Sequence, residues 1–122
     1  MNTLRNKPVV WIGSSHEDWK TFPEDVQDVM GYALHLAQQG EKAPNTKPLT
    51  SFQGASVLEI RDNYLGDTYR AIYTVKFHQI VYVLHAFQKK SKKGIATPKN
   101  EIDLIEQRLR TAKEHYDQHH TH

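Results

Sequence analysis

Two arginines lie in neighbouring β-like segments, Arg61 in VLEIR and Arg70 in TYRAIY, and a third such run, QIVYVLHAF, leads into the lysine cluster QKKSKKG. Residues 61–99 hold eight Lys or Arg and two acidic residues, whereas the whole chain has a net charge of only +2. A small sheet with guanidinium and ammonium groups on one side is suited to hold a phosphodiester, and RNA is the obvious polyphosphate. The alternative is a solvated basic surface whose arginines pair with nearby acids.

The two arginines are expected to face each other. If residues 62–68 close a hairpin, Arg61 and Arg70 lie on adjacent strands and on one face of the sheet. Like charges opposed across a sheet are unfavourable unless an anion lies between them. Glu59 is two residues before Arg61 on the same face, so it could be an internal counter-ion, and a bound phosphate could equally be an external one.

The third strand adds an aromatic side chain next to cations. Phe87 and Lys89 share one side of the strand, and Lys90 begins the exit of the chain toward Lys92 and Lys93. An aromatic ring beside cations can stack an unpaired base while the cations hold its phosphates. The competing interpretation of Phe87 is an ordinary core residue.

RNA carries its own nucleophile, the 2′-hydroxyl, so a protein can cleave it by aligning the strand, neutralising the phosphorane charge and assisting proton transfers. A lysine among other cations loses its proton more easily, so residues 89–93 could supply a general base or acid. His85, on the last strand, could assist there or be a satisfied histidine within the sheet. The histidines from His115 to His122 have spacings that could bind a metal, but a mobile tail is the simpler interpretation, and neither a metal nor a cofactor is predicted.

Hydrophobic patterning predicts an α+β fold and a single domain over residues 1–122. The expected elements are an N-terminal strand in 8–13, two helices in 15–21 and 23–40, a surface loop without chemistry in 41–54, a three-stranded antiparallel meander and a C-terminal helix after Thr97 and Pro98. Residues 113–122 are expected to form a frayed tail. The chain has no cysteine, no signal-peptide pattern and no long apolar run, so we expect a cytoplasmic protein.

The segments VLEIR, YRAIY, VYVLHAFQKKSKK and TPKNEIDLIEQRL, in this order, resemble the RelE/HigB toxin superfamily, particularly its phage-derived HigB-like branch. The resemblance covers about residues 57–110, and F-x-K-K-S-K-K is its most specific part. It implies a RelE-like fold and the toxin of a type II toxin–antitoxin pair, a ribosome-dependent endoribonuclease that cleaves mRNA without metal.

The resemblance also implies roles for single residues. Arg61 and Arg70 would bind the scissile phosphate and stabilise its transition state, and Glu59 would orient Arg61. Lys89 and Lys90 would bind the RNA backbone or assist proton transfer. Phe87 would shape the site or stack within it, with Lys92, Lys93 and His85 as further RNA-binding residues.

The implied partners are the ribosome with its mRNA and a small HigA-like antitoxin with a helix-turn-helix, and oligomers would form only through the antitoxin complex. Two alternatives from other classes stay open. One is a ParE-like inhibitor, which binds a protein such as gyrase and performs no catalysis. The other is a nontoxic phage remnant whose basic face only binds nucleic acid.

Overall fold

The structure, a computed structural model, describes residues 6–52, 54, 56–89 and 97–120. Five strands and three helices follow one another along this part of the chain. They are β1 (Val9–Trp11), α1 (Ser15–Lys20), α2 (Glu24–Gln38), β2 (Thr46–Pro48), β3 (Val57–Tyr64), β4 (Asp67–Thr74), β5 (Val81–Lys89) and α3 (Lys99–His120).

The strands form one mixed sheet in the order β1-β5-β4-β3-β2, in which β1 and β5 are parallel and the other neighbours are antiparallel. The predicted α+β class and the meander β3-β4-β5 are confirmed. The predicted N-terminal strand is present as β1, but the sheet is larger than the predicted meander, because β1 and β2 extend it to five strands. Strand β2 lies inside the segment expected to be a plain loop, and Pro48 is accommodated because an edge strand can lack one N–H donor.

Helices cover both faces of the sheet. On one face, α1 and α2 enclose a core in which Met30 and Ala33 of α2 meet Ile60, Ala71 and Val83 of the strands. On the other face, α3 packs its apolar stripe on a second core. The residues at helical spacing, Ile102, Ile105, Leu109, Ala112 and Tyr116, are therefore the buried side of α3. Among the described residues, no helix combines the length and the apolar character needed to cross a membrane.

Helix α3 continues to His120, so residues 113–120 are helical where a frayed tail was expected. The packing of the last turns on the sheet explains the difference. Tyr116 lies against Phe77, with ring centroids 5.2 Å apart, and the hydroxyl of Tyr82 lies 2.7 Å from Nδ1 of His115. Burial raises the pKa of Tyr82 to about 12, which keeps its hydroxyl protonated in this contact.

Strands β3 and β4 are joined by Leu65 and Gly66, both with positive φ (51° and 89°), which is the backbone of a tight two-residue hairpin. The two strands therefore pair further than the predicted 62–68 loop allowed, up to Tyr64 opposite Asp67. A second irregularity lies in β5. His85 is opposite Ile72 and Val83 is opposite Tyr73, so Leu84 is an extra residue, a β-bulge.

Candidate functional site

Arg61 of β3 and Arg70 of β4 are directly opposed in the register of the sheet. Their guanidinium groups share one carboxylate. Glu59 Oε1 accepts a hydrogen bond from Arg61 Nη2 at 3.1 Å, and Glu59 Oε2 accepts one from Arg70 Nη1 at 2.8 Å. The internal counter-ion, one of two possibilities open at the level of sequence, is therefore present. Two positive charges and one negative charge leave this cluster with a net charge of +1.

The two arginines differ in accessibility. The side chain of Arg70 is 3% exposed, as is that of Glu59, whereas the side chain of Arg61 is 26% exposed. Arg70 Nη1 also donates to Thr97 Oγ1 at 3.3 Å, just before α3 begins. Direct contact between Arg70 and a ligand, as the resemblance implies, would require this arrangement to open. Arg61 uses one of its five N–H donors in the hydrogen bond to Glu59, and others can point toward solvent or a ligand.

Two clefts meet at Arg61. One, of about 180 Å³, is lined by Glu59, Arg61 and Thr97 together with residues 47–51. The other, of about 250 Å³, is lined by Arg61 and Asn63 together with residues 44–47. Lys47 of β2 lies at both clefts and is opposite Glu59 in the sheet. Lys47 was not predicted as a site residue because two prolines made its segment resemble a loop without chemistry.

Phe87 and His85 lie on the same face as the arginines, since Phe87 is opposite Arg70 and His85 is opposite Ile72. Phe87 is 9% exposed, and its ring stacks on the imidazole of His85 with centroids 4.9 Å apart and an interplanar angle of 22°. Phe87 therefore has the core character that was the alternative interpretation. One face of its ring is occupied by His85.

His85 is held from both sides by α3. Its Nε2 lies 2.6 Å from Glu101 Oε1, and its Nδ1 lies 3.4 Å from Nη1 of Arg108. Because a guanidinium group can only donate, Nδ1 is the acceptor, and Nε2–H donates to the carboxylate. Arg108 also donates to the carbonyl of Leu84 at 3.0 Å and to Ser14 Oγ at 3.0 Å. His85 is thus a satisfied histidine whose two nitrogens are engaged within the fold.

Lys89 ends β5 opposite Thr68, on the face that carries Arg70. Lys90, Lys92 and Lys93 lie outside the described residues, so their predicted roles remain predictions. Within the described ranges, no three histidine or acidic side chains come close enough together to hold a metal ion. Of the predicted site residues, Glu59, Arg61 and Arg70 are in direct contact. Phe87, His85 and Lys89 lie on the same face of the sheet as these three.

A profile of the family described as "Phage derived protein Gp49-like (DUF891)" matches residues 17–110, which is more than half of the chain. The chain belongs to this family, and its resemblance to the RelE/HigB toxin superfamily is confirmed.

Among solved structures, the chain is similar to one in the crystal structure of the toxin–antitoxin complex RelBE2 from Mycobacterium tuberculosis. The two sequences are 17% identical, the match covers 75% of this chain and 100% of that chain, and the TM-score is 0.48. None of the curated proteins matches this chain.

Proposed function

We propose that this protein is the toxin of a type II toxin–antitoxin pair and that it cleaves mRNA on the ribosome, which stops translation. The observation that carries the proposal is the guanidinium group of Arg61, which is oriented by the buried carboxylate of Glu59 and reaches the surface at two clefts. Membership of the Gp49-like family supports the same function.

In the proposed reaction, the 2′-oxygen of one nucleotide attacks the adjacent phosphorus, and the bond from phosphorus to the 5′-oxygen of the next nucleotide breaks. The 2′-hydroxyl loses its proton to a base, and the leaving 5′-oxygen gains a proton from an acid. Arg61 donates hydrogen bonds to the phosphoryl oxygens, whose negative charge grows in the transition state. Lys89 and Lys90 are the proposed groups for the proton transfers, and Lys92 and Lys93 for contacts with the RNA backbone.

In this proposal Arg70 acts on the RNA through Glu59 and Arg61, not by direct contact. Its buried pair with Glu59 fixes the carboxylate, and the carboxylate in turn fixes Arg61, so Arg70 contributes to transition-state stabilisation through position. Phe87 and His85 shape the floor of the site by stacking on each other. This division of roles follows from the 3% exposure of the Arg70 side chain against the 26% exposure of Arg61.

The proposed partners are the ribosome with its mRNA and a HigA-like antitoxin that carries a helix-turn-helix. The toxin would act in the cytoplasm, and larger assemblies would form through the antitoxin. The antitoxin would neutralise the toxin by restricting access of Arg61 to mRNA.

The test compares Arg61→Ala with Arg110→Ala during brief induction in cells without antitoxin. Arg110 is exposed on α3 and lines neither cleft, so its substitution removes the same charge elsewhere. We expect the parent protein and Arg110→Ala to arrest growth and to produce new message ends within ribosome-bound mRNA. Arg61→Ala should do neither, although a melting temperature well above the assay temperature shows that it is folded.

Toxicity that persists in a folded Arg61→Ala protein would refute the proposal. DNA damage with uncut ribosome-bound messages would instead indicate the gyrase inhibitor. Normal growth on expression of the parent protein would indicate the nontoxic nucleic-acid-binding module.

A further inference from the structure

Lys47 is an exposed cation in β2, and its ammonium group makes no hydrogen bond or ion pair with any described residue. The register of the sheet places it opposite Glu59, so it is a diagonal neighbour of Arg61 on the same face. Diagonal neighbours in an antiparallel pair have α-carbons about 7–8 Å apart, a distance that long side chains span. Both cations can therefore contact one anion.

The local charge also favours a second anion contact. Glu59 already serves two arginines, and no acidic residue other than Glu59 lines either cleft at Lys47. With Lys47, the cluster of three cations and one carboxylate has a net charge of +2. This charge is concentrated at the rim that the two clefts share, where it would attract a phosphate.

We propose that Lys47 and Arg61 together hold the scissile phosphodiester and that the RNA crosses the sheet at edge strand β2. The nucleotides on either side of this phosphate occupy the two clefts, of about 180 Å³ and about 250 Å³. Both volumes lie below the roughly 300–1,000 Å³ of sites for drug-sized ligands, so each cleft suits the base of one nucleotide rather than a longer segment. The inference rests on the proposed ribonuclease function and adds to it a phosphate contact and a path for the strand.

The test measures the initial rate of mRNA cleavage in a cell-free translation system with purified proteins. The variants are Lys47→Ala, Lys47→Arg and, as a matched control, Lys42→Ala. Lys42 is also exposed and lies in the same connection between α2 and β3, but it lines a different cleft that does not include Arg61. Melting temperatures establish that each variant is folded.

We expect Lys47→Ala to lower the cleavage rate by roughly 10- to 100-fold, the effect of losing one charge-assisted hydrogen bond to the reacting phosphate. Lys47→Arg should restore most of the rate, because it keeps the cation, and Lys42→Ala should leave the rate unchanged.

Equal rates for folded Lys47→Ala and the parent protein would overturn the inference and leave the ribonuclease function standing. Equal losses in Lys47→Ala and Lys42→Ala would also overturn it, since they would reflect general charge alone. No cleavage by the parent protein would overturn the ribonuclease function and this inference together.

Discussion

Replacing Glu59 with Gln is expected to destabilise the folded protein by about 4 kcal/mol, because the change leaves a buried guanidinium group without its counter-ion. The carboxylate of Glu59 lies 2.8 Å from Arg70 Nη1, and both side chains are only 3% exposed. Removing one partner of such a buried pair costs about 3–5 kcal/mol. The pair with Arg61, which is 26% exposed, adds up to about 1 kcal/mol.

Arg70→Met should cost less, about 2–3 kcal/mol, since Glu59 then keeps its hydrogen bond to Arg61. In the double variant, which combines Glu59→Gln with Arg70→Met, both charges of the buried pair are absent. Its destabilisation should therefore be smaller than the sum of the two single effects by at least about 1.5 kcal/mol.

The assay is equilibrium urea unfolding, followed by the fluorescence of Trp11 and Trp19. Lys113→Met is the matched control. The ammonium group of Lys113 lies 2.6 Å from Asp117, a shorter distance than in the buried pair, but these side chains are 63% and 48% exposed. The control should lose less than about 1 kcal/mol. A loss of that small size in Glu59→Gln, or additivity in the double variant, would refute the view that Arg70 is a buried structural partner of Glu59.

Gly13→Ala should destabilise the protein by at least about 1 kcal/mol more than Gly40→Ala. Both glycines have positive φ. An added Cβ at Gly13 would lie 2.8 Å from Arg108 Nε, whereas an added Cβ at Gly40 would have no described atom within 4 Å. Equal losses of unfolding free energy in the two variants, measured by urea unfolding, would contradict the close packing of Arg108 against Gly13. For Tyr82, the pKa is raised from 10.0 to about 12 in the folded protein, so its contribution to stability is complete below pH 10 and lost as pH rises through 12. That loss is on the order of 2–3 kcal/mol, and it should be absent from Tyr82→Phe, which instead loses about 1 kcal/mol at neutral pH with the hydrogen bond to His115. Unfolding free energies measured for both proteins from pH 7 to 12 check this, and parallel curves would speak against it.

The sequence predicted the meander and the opposition of Arg61 and Arg70 because both follow from alternation along strands joined by a short turn. The residues of α3 that recur at helical spacing also form its buried side. For α2 the same rule was less accurate. Helical spacing alone would place Val29 on its apolar face, yet Val29 is 40% exposed, because spacing does not show how wide the buried stripe is.

The remaining features depend on pairing between distant segments. A three-residue strand such as β2 has no periodicity of its own, and its place is set by hydrogen bonding to β3. The burial of Arg70 is likewise a tertiary effect, which arises from Glu59 two strand positions away and from Thr97 at the start of α3. Lys47 and Arg108 were missed for the same reason, since only the folded chain brings Lys47 to the clefts of Arg61 and Arg108 to His85.

The extra residue Leu84 determines to which face of the sheet the side chains in the last half of β5 point. By strict alternation from Tyr82, the side chains of Phe87 and Lys89 would point toward α1 and α2, away from Arg70. The bulge reverses their direction, which places them with the arginines and turns the Leu84 carbonyl toward Arg108. If Leu84 instead paired in the ladder as an ordinary strand residue, the same sequence could keep its strands and helices, yet its aromatic ring and its terminal strand lysine would be separated from Arg61 by the thickness of the sheet.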